Sequence, residues 1–153
     1  MTLPVFNLSG VASTSTTVTV TEPSGIGGVT GAALLTGLTL TDDDGFFGDR
    51  LTIALADAPV TDALSLDGGV ARLFGSGPVY AQILVGGVWT NIGIVQTSGV
   101  TAGQSLPTNT TGVEIEFLTN DPVRIAAFIQ AIRYGSTSDD PTALQSGSPD
   151  ATR

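Results

Sequence analysis

The stretch Leu38-Thr-Leu-Thr-Asp-Asp-Asp-Gly-Phe-Phe-Gly-Asp-Arg-Leu-Thr-Ile-Ala-Leu55 sets two alternating patterns on either side of an acidic turn. Leu38 and Leu40 precede the turn and Leu51, Ile53 and Leu55 follow it. Successive side chains of a strand point to opposite faces, so a period of two predicts a half-buried strand on each side, together a hairpin-like unit. The turn carries Asp42, Asp43, Asp44 and Asp49, with Gly45 and Gly48 between them. Carboxylates so crowded repel one another unless water, arginine or a divalent cation sits among them, and an all-oxygen ligand set suits calcium. A solvated acidic loop accounts for the same residues. The spacing is not that of an EF-hand, whose twelve-residue loop ends in a bidentate glutamate.

Outward from that unit, short strand patterns recur. Residues 14–22 alternate Thr and Val and stop at Pro23-Ser24-Gly25, and four glycines between positions 25 and 31 argue against a helix there. A short strand is expected near residues 32–35. On the C-terminal side, residues 63–66 and 70–74 are separated by the turn Asp67-Gly68-Gly69. Residues 79–85 and 88–95 are joined across Gly86-Gly87, a dipeptide suited to the positive φ of a two-residue hairpin turn. Residues 112–118 alternate cleanly, with Val113, Ile115 and Phe117 expected inward and Glu114 and Glu116 outward. One helix is expected near residues 121–131: Asn120 or Asp121 can cap it, Pro122 suits its first position, and Ile125, Phe128, Ile129 and Ile132 fall at helical spacing. Residues 132–134 can equally begin another strand.

Seven to nine short strands and one small helix define an all-β chain, an antiparallel β-sandwich, with a closed barrel or jelly roll as the alternative. The 153 residues suffice for one core. The expected division is residues 1–13 as an N-terminal arm or edge strand, since Pro4 bars a central strand position, residues 14–141 as the sandwich, and residues 142–153 as a polar tail.

Composition narrows the chemistry. The formal charge is −9, lysine, histidine and cysteine are absent, and the basic residues are Arg50, Arg72, Arg124, Arg133 and Arg153. Such a field repels phosphate backbones and anionic lipid, so neither nucleic acid nor a membrane surface is an expected partner. No apolar run approaches the ~20 residues a spanning helix needs, and no N-terminal leader pattern is visible. Nucleophile schemes built on Ser-His-Asp, Cys-His or lysine all lack a member, as do zinc sites. Glu114 and Glu116 lie two apart on one strand face, about 7 Å, near the separation of an inverting glycosidase pair; an outward polar face predicts the same two residues. Trp89, Tyr80 and Phe74 could form a sugar-stacking platform or be partly buried packing. Asn7-Leu8-Ser9 and Asn109-Thr110-Thr111 fit the N-glycosylation acceptor pattern.

Several stretches, taken in order, resemble a known family. Residues 17–22 (TVTVTE), then residues 38–44 (LTLTDDD) and 49–55 (DRLTIAL), are similar to the strands around the acidic turn in immunoglobulin- or cadherin-like repeats of large bacterial RTX-type surface or secreted proteins. Residues 86–93 (GGVWTNIG) resemble the hairpin of such repeats, and residues 125–141 (IAAFIQAIRYGSTSDDP) resemble their helix-to-strand element. The resemblance implies an immunoglobulin-like sandwich that is not an enzyme, located extracellularly or at the cell surface, stiffened by Ca²⁺ and stacked in adhesins or surface layers. Carried over residue by residue, it places cation contact at Asp42, Asp44 and Asp49, with Asp139 and Asp140 as weaker candidates. It also implies one further strand after residue 141, which the chain lacks. Either the sequence is a piece of a longer one, or a neighbouring chain supplies the strand, donated by residues 3–8 or 14–20. A homo-oligomer or polymer joined through exposed strand edges is therefore expected, and carbohydrate is the alternative ligand.

Overall fold

The computed structural model describes residues 5–8, 11–13, 29–33, 38–42, 45–54, 62–106 and 112–136. Residues 14–22 and 34–35, together with Asp43, Asp44, Asp139 and Asp140, lie outside the described residues, as do both boundaries of the expected sandwich.

The largest sheet has five strands in the order β5 (Arg50–Ile53), β11 (Val113–Phe117), β9 (Val88–Val95), β8 (Tyr80–Val85), β7 (Ala71–Phe74). A second has four: β10 (Ser105–Leu106), β6 (Asp62–Leu66), β12 (Ile132–Ser136), β3 (Val29–Ala33). A third has three: β2 (Val11–Ser13), β1 (Val5–Leu8), β4 (Thr39–Thr41). Every pairing among the described residues is antiparallel. The architecture is an all-β sandwich with one short helix, α1 (Pro122–Gln130). Among the described residues no helix is long and apolar enough to cross a membrane.

Alternation fills the core. On β11 the buried Val113, Ile115 and Phe117 are separated by half-exposed Glu114 and Glu116, and on β7 the buried Ala71 and Leu73 are separated by Arg72. The opposing layer contributes Leu64, Leu66, Ile132 and Tyr134. The helix closes the core with Ile125, Phe128 and Ile129, packed near β4 and β8. Its start obeys the capping rule: Asp121 Oδ1 accepts from the N–H groups of Val123 and Arg124 at 3.0 and 3.2 Å, and Pro122 takes the first position, where no amide hydrogen is needed. One residue after the helix, Ile132 opens β12, as the alternative reading of that segment allowed.

The Gly86-Gly87 hairpin forms as expected, with φ of 57° and 82°, the two positive values a tight turn of matching twist requires. Between β8 and β9 the register shifts: Ala81 faces Gly93, Gln82 faces Asn91, and Ile92 is the extra residue, wholly buried. The bulge turns Ile92 into the core. Gly93 has no side chain because a Cβ there would stand 2.6 Å from Ile115 Cγ2 and 2.9 Å from the Glu116 carbonyl.

Two expectations are corrected. The segment from Leu38 to Leu55 is not a hairpin: β4 pairs with β1, and β5 pairs with β11, so the acidic stretch crosses from one sheet to another. The crossing is held by backbone bonds that alternation cannot reveal. Gly48 N donates to the Phe117 carbonyl and Phe117 N to the Asp49 carbonyl, which lays β5 along β11, while Phe46 is buried as a plug. Residues 5–8 are also not an edge strand. β1 lies between β2 and β4, and its four residues include no proline. The described residues contain twelve strands, more than expected, since β2 and β10 are too short to show a period.

Candidate functional site

Two places carry the candidate residues: the acidic crossing and the outer face of the five-stranded sheet.

In the crossing, Asp49 is buried at 8% exposure and Asp42 is half-buried. The loop is built as a structural joint. Asp49 N donates to the Phe46 carbonyl at 3.0 Å, Phe47 N donates to Asn120 Oδ1 at 2.7 Å, and Gly45 and Gly48 hold φ near 87°. Calcium takes six to eight oxygens. With Asp44 outside the described residues, the described part of the loop offers Asp42 and Asp49. No group of three or more acidic, imidazole or thiol side chains gathers among the described residues.

The outer face of the five-stranded sheet follows from the core pattern. With Ala71 and Leu73 inward, Arg72 and Phe74 point out. Pairing carries the outward set across the sheet: Arg72 faces Gln82 and Phe74 faces Tyr80. Gln82 in turn faces Asn91, Leu84 faces Trp89, and Tyr80 faces Ile94. Ile94 then faces Glu116, which faces Arg50. The three aromatics singled out in the sequence thus share one solvent-facing surface, with Phe74 51% exposed.

Arg72 organises this surface, and the sequence pattern alone did not mark it. Its guanidinium carbon lies 4.1 Å from the Trp89 ring centroid and 4.6 Å from that of Phe74. Arg72 Nε donates to Gln82 Oε1 at 2.8 Å, and Gln82 Nε2 donates to Asn91 Oδ1 at 2.7 Å. The direction of this chain is forced. Arginine has only donors, so Gln82 must turn its oxygen to Arg72 and its nitrogen to Asn91, which must answer with oxygen. What remains at the exposed ends is donors alone: the terminal nitrogens of Arg72 and Nδ2 of Asn91. Gln82, 8% exposed, has both ends of its amide engaged.

The other half of the face is acidic. Arg50 Nη1 lies 2.7 Å from Glu114 Oε1 and Arg50 Nη2 lies 3.3 Å from Glu116 Oε2. Gln96 Nε2 also donates to Glu116 Oε2, at 3.3 Å. Two carboxylates share one arginine, which leaves one net negative charge.

Across the described residues, Arg124 pairs with Asp121 and Arg133 with Asp67. Arg72 is the one described arginine with no carboxylate partner. The depression lined by Val70, Ala127, Gln130, Ala131 and Arg133, about 290 Å³, lies away from this face and adds no reactive group.

Comparison with known proteins returns no matching family model, no matching curated protein and no matching solved structure.

Proposed function

We propose that this chain is a non-catalytic structural or adhesive module of an extracellular bacterial assembly, working through its surfaces and strand edges and joining copies of itself. One observation carries this reading. Large apolar side chains stand in solvent on the sandwich, among them Phe74 on β7 and Leu84, Val85 and Val88 at the β8–β9 turn, in a chain without histidine, cysteine or lysine. Exposed apolar surface of this kind marks a contact region. The ordered resemblance to immunoglobulin-like bacterial repeats supports the extracellular setting, the immunoglobulin-like form of the sandwich and a stiffening role for Ca²⁺ at Asp42, Asp44 and Asp49.

Sedimentation equilibrium over a range of concentrations and thermal melting, each with calcium and with chelator, test the two parts. The reading expects mass to rise with concentration in either condition, and calcium to raise the melting temperature. A monomer at every concentration would remove the assembly reading, and an unchanged melt would remove the ion.

Carbohydrate binding is the second reading, favoured by the placement of Phe74, Tyr80 and Trp89 on one open face. A glycan array read with the parent chain and with Trp89→Ala decides it: a sugar captured by the parent and lost by the variant supports this reading, and no capture removes it.

A further inference from the structure

The outer face of the five-stranded sheet is electrically lopsided in a way that fits a second copy of itself. At the β7–β8 side stands Arg72, which has no carboxylate of its own among the described residues and whose free hydrogen-bonding atoms are donors only. At the β11–β5 side stand Glu114 and Glu116, two carboxylates held by one arginine. β7 and β11 are three strand spacings apart, roughly 14 Å. Between the two poles, on β8 and β9, lie half-exposed Tyr80 and Ile94, while exposed Phe74 flanks Arg72 along β7 and exposed Leu84 lies beyond Gln82 on β8.

A positive spot and a negative spot on one face are always exchanged by a two-fold axis that lies in the plane and bisects the line between them. We propose that this face is the contact surface of a two-fold symmetric dimer, in which Arg72 of each copy meets the Glu114/Glu116 pair of the other across an apolar centre. The inference deepens the self-association reading and rests on it.

Three features single out a second copy as the occupant. The donors left by the Arg72–Gln82–Asn91 chain call for a carboxylate, and the same face carries two. An arginine stacked on tryptophan, flanked by aliphatic side chains, has the composition of a protein contact centre. Leu84 and Ile94, opposite Trp89 and Tyr80 on that face, supply branched apolar surface that a sugar ring does not require. Such a contact is isologous and closes on itself, so growth beyond a pair would use the open strand edges. The face is small: five strands at about 4.8 Å spacing cover a patch at the low end of specific interfaces.

Charge reversal tests the pairing. Sedimentation equilibrium is run at about 0.15 M salt, where the screening length of about 8 Å damps the repulsion between two −9 chains but spares direct contacts. The parent, Arg72→Glu, Glu116→Arg and an equimolar mixture of the two variants are compared. The expected result is a dimer for the parent, a loss of at least about tenfold in association for each variant alone, and recovery in the mixture, where each new charge meets its opposite on the other chain. A structural role for Arg72 would not produce that recovery. If Arg72→Glu fails to fold, Arg72→Met keeps the stem between the rings and must show the same loss with a parent-like melt. Variants that associate as the parent does, or single losses without recovery in the mixture, overturn the dimer face and leave self-association standing. A parent that is monomeric throughout overturns both.

Discussion

Replacing Phe128 with alanine is expected to lower the stability of this chain by about 3–5 kcal/mol, the range for truncating a buried phenylalanine. Phe128 is wholly buried and is the largest side chain among the described residues that is so. It lies on α1, whose other buried residues, Ile125, Ala126 and Ile129, surround it along one face. The helix is only nine residues long, too short to hold its shape without a packed face. Removing the ring therefore leaves a cavity and loosens the one helix among the described residues at the same time. Since a domain of this size has only about 5–15 kcal/mol in hand, thermal melting should drop by about 10 °C or more. A shift of only a degree or two would mean that Phe128 is not at the centre of the core.

The second large effect is expected from Gly93→Val. A single Cβ at this position would already meet Ile115 Cγ2 at 2.6 Å and the Glu116 carbonyl at 2.9 Å. Two further methyl groups have no room unless β9 and β11 move apart, and both lie in the middle of the five-stranded sheet. Overpacking of this kind costs about 1–3 kcal/mol, and here it also strains the pairing of Ile115 with Val95 and of Phe117 with Gly93. Urea denaturation should show a lower midpoint for Gly93→Val than for Gly93→Ala, and both below the parent. Equal midpoints for all three chains would contradict the close approach of the two strands.

Much of the fold was legible because its signals are local. The Gly86-Gly87 turn, the alternation from Val113 to Phe117 and the Asp121-Pro122 helix start depend on neighbours in the chain, and each appears where its residues direct it. Pairing partners are a different matter. Nothing in the alternation around Leu40 and Ile53 says whether two strands face each other or different partners. The backbone bonds of Gly48 and Asp49 to Phe117, 69 and 68 positions away by their numbering, settle it. The site was legible in part. Phe74, Tyr80 and Trp89 could be named from side-chain type, but their union on one face depends on the register that sets Phe74 opposite Tyr80 and Trp89 opposite Leu84. Arg72 carried no sequence motif. The available signal was subtler: an arginine at the outward position of a strand whose flanking Ala71 and Leu73 are core.

The central claim is that this sandwich acts through the outer face of its five-stranded sheet by meeting another copy. Amide chemical shifts recorded from dilute to concentrated solution test it most directly. The account predicts shifts that grow with concentration and concentrate on Arg72, Phe74, Tyr80, Leu84, Trp89, Glu114 and Glu116. Shifts confined to other surfaces, or spectra that do not change with concentration, would contradict it.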